Sequence, residues 1–152
     1  GAWPLRYDQL VQPVLDKRCV ECHNAKKSDG GLDLSGTPFR DFTRSYWSLC
    51  GLPADPTGQK RDFVPPQTPP LVPRFAQRNQ IQTTPPGGVF GARGSRLIKL
   101  LLDGHENVKL TADELQRIAT WVDLNAVFYG GYSDEERAAQ LQGKTIAMPA
   151  IQ

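Results

Sequence analysis

Residues Arg18–Asn24 read RCVECHN, and within them Cys19, Cys22 and His23 form the pattern C-x-x-C-H. Two thiols a helical turn apart can each form a thioether with a porphyrin vinyl group, and a histidine directly after them can reach the iron. The stretch therefore predicts a chain folded around one covalent haem c, with His23 on one axial face. What occupies the other face separates an electron carrier from a haem enzyme or gas sensor.

The rest of the chain is consistent with such a centre. Its 152 residues suit one domain, yet only 39% are hydrophobic, and 14 glycines and 13 prolines predict much irregular structure. A haem would add a large apolar body to a modest core. Net charge is +2 with acidic and basic residues interspersed, so nothing points to nucleic acid. No apolar run approaches the roughly 18 residues of a membrane span. The opening GAWPLRYDQL lacks the charged start and apolar core of a signal peptide. Since bacterial thioether attachment takes place outside the cytoplasm, the expectation is a periplasmic or extracellular domain belonging to a longer polypeptide.

Helical signals surround the motif. In YDQLVQPVLDKRCVECH (7–23), Leu10, Val14, Val11 and Leu15 give an apolar face, with Pro13 either kinking the helix or marking its first turn. NAKKSDGGLDLSG reads as loop, and FRDFTRSYWSLCGL as a short helix faced by Phe42, Tyr46 and Leu49. From 53 to 88 prolines at 53, 56, 65, 66, 69, 70, 73, 85 and 86 exclude regular structure. Phe63, Leu71, Val72 and Phe75 favour an extended wrap packed on the core. GSRLIKLLLDG follows, with Ser95 as N-cap and Gly104 as stop. LTADELQRIATWVDLN opens on a capping box, Thr111 and Glu114, and buries Leu115, Ile118, Val122 and Trp121. SDEERAAQLQG is boxed by Ser133 and Glu136. The expected fold is mainly α, a single helical domain over 1–152 with a proline-rich insertion and no sheet.

Zinc is the rival reading of the motif, through Cys19, Cys22, Cys50 and His105. The isolation of Cys50 argues against it, since zinc modules usually present ligands as close pairs. A redox C-x-x-C would open a helix in an α/β pattern, which is missing. Cys50, third of three cysteines, is expected to be a free buried thiol.

For the sixth position the chain offers two histidines and one methionine. Met148 lies in the final KTIAMPAIQ, with no following element to clamp it. His105 lies in LLDGHENVKLT, a short connection between two well-signalled helices. His105 ranks ahead of Met148, and an open iron third; Tyr46, Tyr129, Tyr132 and the lysines are weaker options. Two imidazoles would leave no coordination position for substrate, so electron transfer follows, without enzymatic chemistry of its own. Tyr46, Trp47, Leu97, Leu101 and Trp121 are candidates for the pocket wall, though each also suits ordinary core.

The order of VQPVLDKRCVECH, GGLDLSG, FTRSYWSL and GSRLIKLLLDGHENVKLTADELQRIATWVDLNAVFYG resembles the haem domains of hydrazine synthase alpha-subunit type. Such c-type cytochrome modules also occur in large planctomycete and other bacterial multidomain proteins. The likeness spans Tyr7 to Tyr132, and GHxxVKL, WVDLN and FYG are its most specific parts. It implies a cytochrome c-like helical fold with bis-histidine ligation by His23 and His105, relaying electrons to a partner protein or an adjacent domain. The family's hydrazine-forming haem carries a tyrosine ligand. This chain has a single haem motif and Lys27, not tyrosine, shortly after His23, so hydrazine synthesis is not carried over.

Overall fold

The computed structural model describes residues 5–51, 69–74 and 90–144. The architecture is mainly helical. The N-terminal apolar stretch forms two helices rather than one, α1 (Tyr7–Leu10) and α2 (Gln12–Arg18), parted at Val11. Pro13 explains the break: lacking an N–H, it fits the first turn of a new helix and not the interior of a continuous one. Cys19 caps α2, so the cysteines follow the helix instead of closing it from within.

A two-residue antiparallel hairpin comes next, β1 (Pro38–Phe39) and β2 (Phe42–Thr43), where no sheet was expected. Phe42 therefore precedes α3 (Arg44–Cys50) rather than joining its face, yet its ring still stacks on Tyr46 at 4.7 Å. Thr43 caps α3 by accepting the Tyr46 N–H.

Of the proline-rich segment, 69–74 is described, and it packs as a wrap. Leu71 and Val72 are buried. Val72 N–H donates to the Leu49 carbonyl at 2.9 Å, and the Leu71 carbonyl accepts from Leu97 N–H and Ser95 Oγ. Ser95 thus heads α5 (Arg96–Asp103) without capping it, its hydroxyl being committed to that tie. Phe63 and Phe75 lie outside the described residues.

The short α4 (Gly91–Gly94) and α1 both pack on α6 (Ala112–Asp123). Both predicted capping boxes form: Thr111 with Glu114 opens α6, and Ser133 with Glu136 opens α7 (Asp134–Leu141). Leu115 is half-buried, while Glu114 is buried beside Ile118, Trp121 and Val122. At the centre, the fully enclosed Tyr7 ring lies 5.3 Å from Tyr46, 5.2 Å from Trp121 and 5.3 Å from Phe128. No helix among the described residues is long and apolar enough to cross a membrane.

Candidate functional site

Backbone hydrogen bonds wind the motif into one further turn beyond α2. Cys19 N–H donates to Leu15, and the Cys19 carbonyl accepts from both Cys22 N–H and His23 N–H. Asn24 locks the exit from that turn. Its Nδ2 donates to the Val20 carbonyl at 2.7 Å, while its Oδ1 accepts from the amides of Lys26 and Lys27. Nothing in the pattern C-x-x-C-H singles out Asn24, although its tendency to bond nearby backbone is the signal that could have done so.

His23 is buried and held at both ends. Its carbonyl accepts from Leu34 N–H, and its Nδ1 lies 2.9 Å from the Asp29 carbonyl. A carbonyl can only accept, so Nδ1 is the donor, and in a neutral ring Nε2 then presents the lone pair. This is the arrangement that orients a metal-binding imidazole and fixes its tautomer.

His105 lies in the loop that Gly104 opens at the end of α5, with φ of 95°, a conformation suited to glycine. The loop is pinned by Val108 N–H donating to the His105 carbonyl at 3.0 Å. Its ring makes no hydrogen bond among the described residues. Although far apart in sequence, the two imidazoles meet: their centroids are 5.9 Å apart and their planes 23° from parallel. Two collinear metal–nitrogen bonds of about 2 Å, plus roughly 1 Å from each nitrogen to its ring centre, place centroids about 6 Å apart. The separation of the two rings is of that size.

Cys19 and Cys22 are free, half-buried thiols beside this pair. Burial, reinforced by the nearby Cys22, pushes the Cys19 thiol up to about 11. Lys27 Nζ lies 3.4 Å from Cys22 Sγ, and this contact, then Asp29, holds the ammonium above its ordinary range. Cys50 is buried against Tyr46 and pushed up to about 12 by desolvation. In haem-free protein at pH 8, iodoacetamide should therefore modify Cys19 slowly, with the rate climbing as pH approaches about 11. Cys50 should react only on unfolding. Peptide mass spectrometry reads the order, and early labelling of Cys50 would contradict it.

The zinc set does not assemble: Cys50 belongs to the aromatic core, and no group of three or more His, Cys, Asp or Glu side chains converges among the described residues. Of the proposed wall residues, Tyr46, Trp47, Trp121 and Leu97 are closed off by protein at 1%, 3%, 2% and 6% exposure. All four lie in the buried core. Tyr46, Trp47 and Trp121 also spend their polar atoms there, on the carbonyls of Ala126, Phe39 and Val127. Leu101 is half-buried and keeps open surface. Tyr129 donates to the Asp41 carbonyl, Tyr132 is 95% exposed, and Met148 lies outside the described residues.

One further residue ties the two histidine-bearing segments together. Glu114, buried at the start of α6, receives Lys17 at 2.9 Å and Arg18 at 3.0 Å from the end of α2. The Thr111 backbone N–H, then Lys17, hold its carboxyl down at about 2. The capping box was legible in sequence, but this reach across the fold was not.

A cleft of about 390 Å³ lies elsewhere, between Tyr7, Gln12, Thr43, Phe128 and Gln140. No family model, no curated protein and no solved structure matches the chain.

Proposed function

We propose that the chain is a c-type cytochrome domain that transfers electrons through a single covalent haem. Cys19 and Cys22 would hold it by thioether bonds, and His23 and His105 would bind the iron from opposite faces. The observation that carries this reading is the approach of the two imidazoles to 5.9 Å, one of them directly following a pair of free thiols in the order C-x-x-C-H. When bound, the group supplies an iron that cycles between the ferric and ferrous states.

The protein's own part is orientation. The Asp29 carbonyl fixes the His23 tautomer, and the turn from Cys19 to Asn24 sets both thiols relative to that ring. With an imidazole on each face, no position remains for a substrate, which favours a carrier over an enzyme. The redox partner would be another protein or an adjacent domain, in a periplasmic or extracellular setting where thioether attachment takes place. The resemblance to the haem modules of hydrazine synthase alpha-subunit type and of bacterial multidomain cytochromes supports the same reading.

Absorption spectra of the purified protein, oxidised and reduced, test it. The expected result is a thioether-bound haem with sharp low-spin bands in both states and no methionine charge-transfer feature. A high-spin ferrous spectrum with ready carbon monoxide binding would favour a gas sensor or haem enzyme instead. A colourless protein with no added haem mass would overturn the reading.

A further inference from the structure

The two imidazoles come from opposite parts of the chain, and something must fix their separation. Broad helix packing does not, since α1 rather than α2 lies extensively on α6. The direct tie is Glu114. It is 7% exposed, and its carboxylate accepts from Lys17 Nζ, from Arg18 Nε and Nη2, and from the Thr111 backbone N–H. These donors fill the lone-pair sites of a carboxylate. Arg18 leads directly into Cys19, whose carbonyl holds His23, and Thr111 directly follows the loop that carries His105. One buried charge therefore connects the two carriers.

We propose that Glu114 is a positioning residue for the imidazole pair: it locks the Cys19–His23 turn to the 104–110 loop and so sets how firmly His105 stays opposite His23. The role rests on the paired-imidazole reading and deepens it. Glu114→Gln isolates the effect. Its amide oxygen in the Oε2 place can still cap Thr111 and accept from Arg18, but its NH2 group in the Oε1 place then faces the donor of Lys17 and the carboxylate charge is gone, so α6 persists while the tie is weakened.

Carbon monoxide binding to the reduced, haem-loaded protein reads the outcome, because the gas must displace His105. The Glu114→Gln protein is expected to bind it about tenfold more readily, a change typical of losing support behind a metal ligand. Helical circular dichroism should be retained. A Lys17→Gln/Arg18→Gln double variant, which leaves the cap intact, should behave alike and covers the case in which Glu114→Gln fails to fold. In haem-free protein, the Val108 amide, bonded to the His105 carbonyl, should exchange with solvent faster in either variant. Asp8→Asn, which breaks the separate Arg6–Asp8 pair, is the control. Wild-type carbon monoxide binding in Glu114→Gln and in the double variant, or an equal rise in Asp8→Asn, overturns the positioning role. His105→Ala separates the two failures. If it turns high-spin while Glu114→Gln behaves as wild type, only the positioning role falls; if its spectrum is unchanged, the ligand reading beneath it falls.

Discussion

Replacing His105 by Ala is expected to convert the haem-loaded protein from six-coordinate low spin to five-coordinate high spin. His105 is the imidazole whose centroid lies 5.9 Å from that of His23, and the chain has no third histidine to replace it. The change removes a half-buried loop side chain that makes no hydrogen bond among the described residues, so under the proposed ligation its effect would fall on the iron rather than on folding. An internal ligand in place about 99% of the time lowers the apparent affinity of an external one by about 100-fold, the inverse of the open fraction. Carbon monoxide affinity of the reduced protein should rise by that order in His105→Ala. Met148→Ala should leave both spectrum and affinity unchanged. A spectrum insensitive to His105→Ala but shifted by Met148→Ala would reverse the assignment.

The largest loss of stability is expected from Tyr7→Ala. The ring is fully enclosed and meets Tyr46, Trp121 and Phe128, which join the N-terminal segment, α3, α6 and the chain beyond it. Its hydroxyl donates to Ser45 Oγ at 2.9 Å, and Ser45 in turn donates to Gln12 at 2.6 Å. Emptying a buried aromatic site costs about 3–5 kcal/mol, a large share of the roughly 5–15 kcal/mol by which ordinary domains are stable. Tyr7→Phe keeps the ring and removes one hydrogen bond, worth about 1 kcal/mol. Urea denaturation of the haem-loaded protein separates the two. A Tyr7→Ala loss no greater than that of Tyr7→Phe would show that the aromatic cluster is not what holds the helices together.

The sequence was most informative where structure is decided locally. Thr111 with Glu114, and Ser133 with Glu136, announce their helix starts by residue type and spacing alone, and both boxes form. Pro13 announced a break but not its place, because either a kink or a fresh first turn accommodates a ring without an N–H. The Phe39–Phe42 hairpin escaped notice because its two-residue strands are too short for any alternation to register. At the candidate site, Cys19, Cys22, His23 and His105 were all named from their chemistry. The Asp29 contribution was invisible, since it is made by a backbone carbonyl that every residue possesses. The reach of Lys17 and Arg18 to Glu114 was equally hidden, because ion pairs between distant segments leave no periodic trace. Tyr46, Trp47 and Trp121, the candidates for the wall, are buried, as large aromatics serve core and pocket alike.

The bond from His23 Nδ1 to the Asp29 carbonyl carries a consequence for how charge is balanced. Behind an imidazole that binds a metal ion, a carboxylate in that place could draw the ring proton towards itself on oxidation, coupling electron loss to partial proton loss. An amide oxygen has no comparable basicity and takes up no proton at neutral pH. If His23 holds an iron as proposed, this contact would add no proton to the arrival of an electron, and so would lend the reduction potential no dependence on acidity.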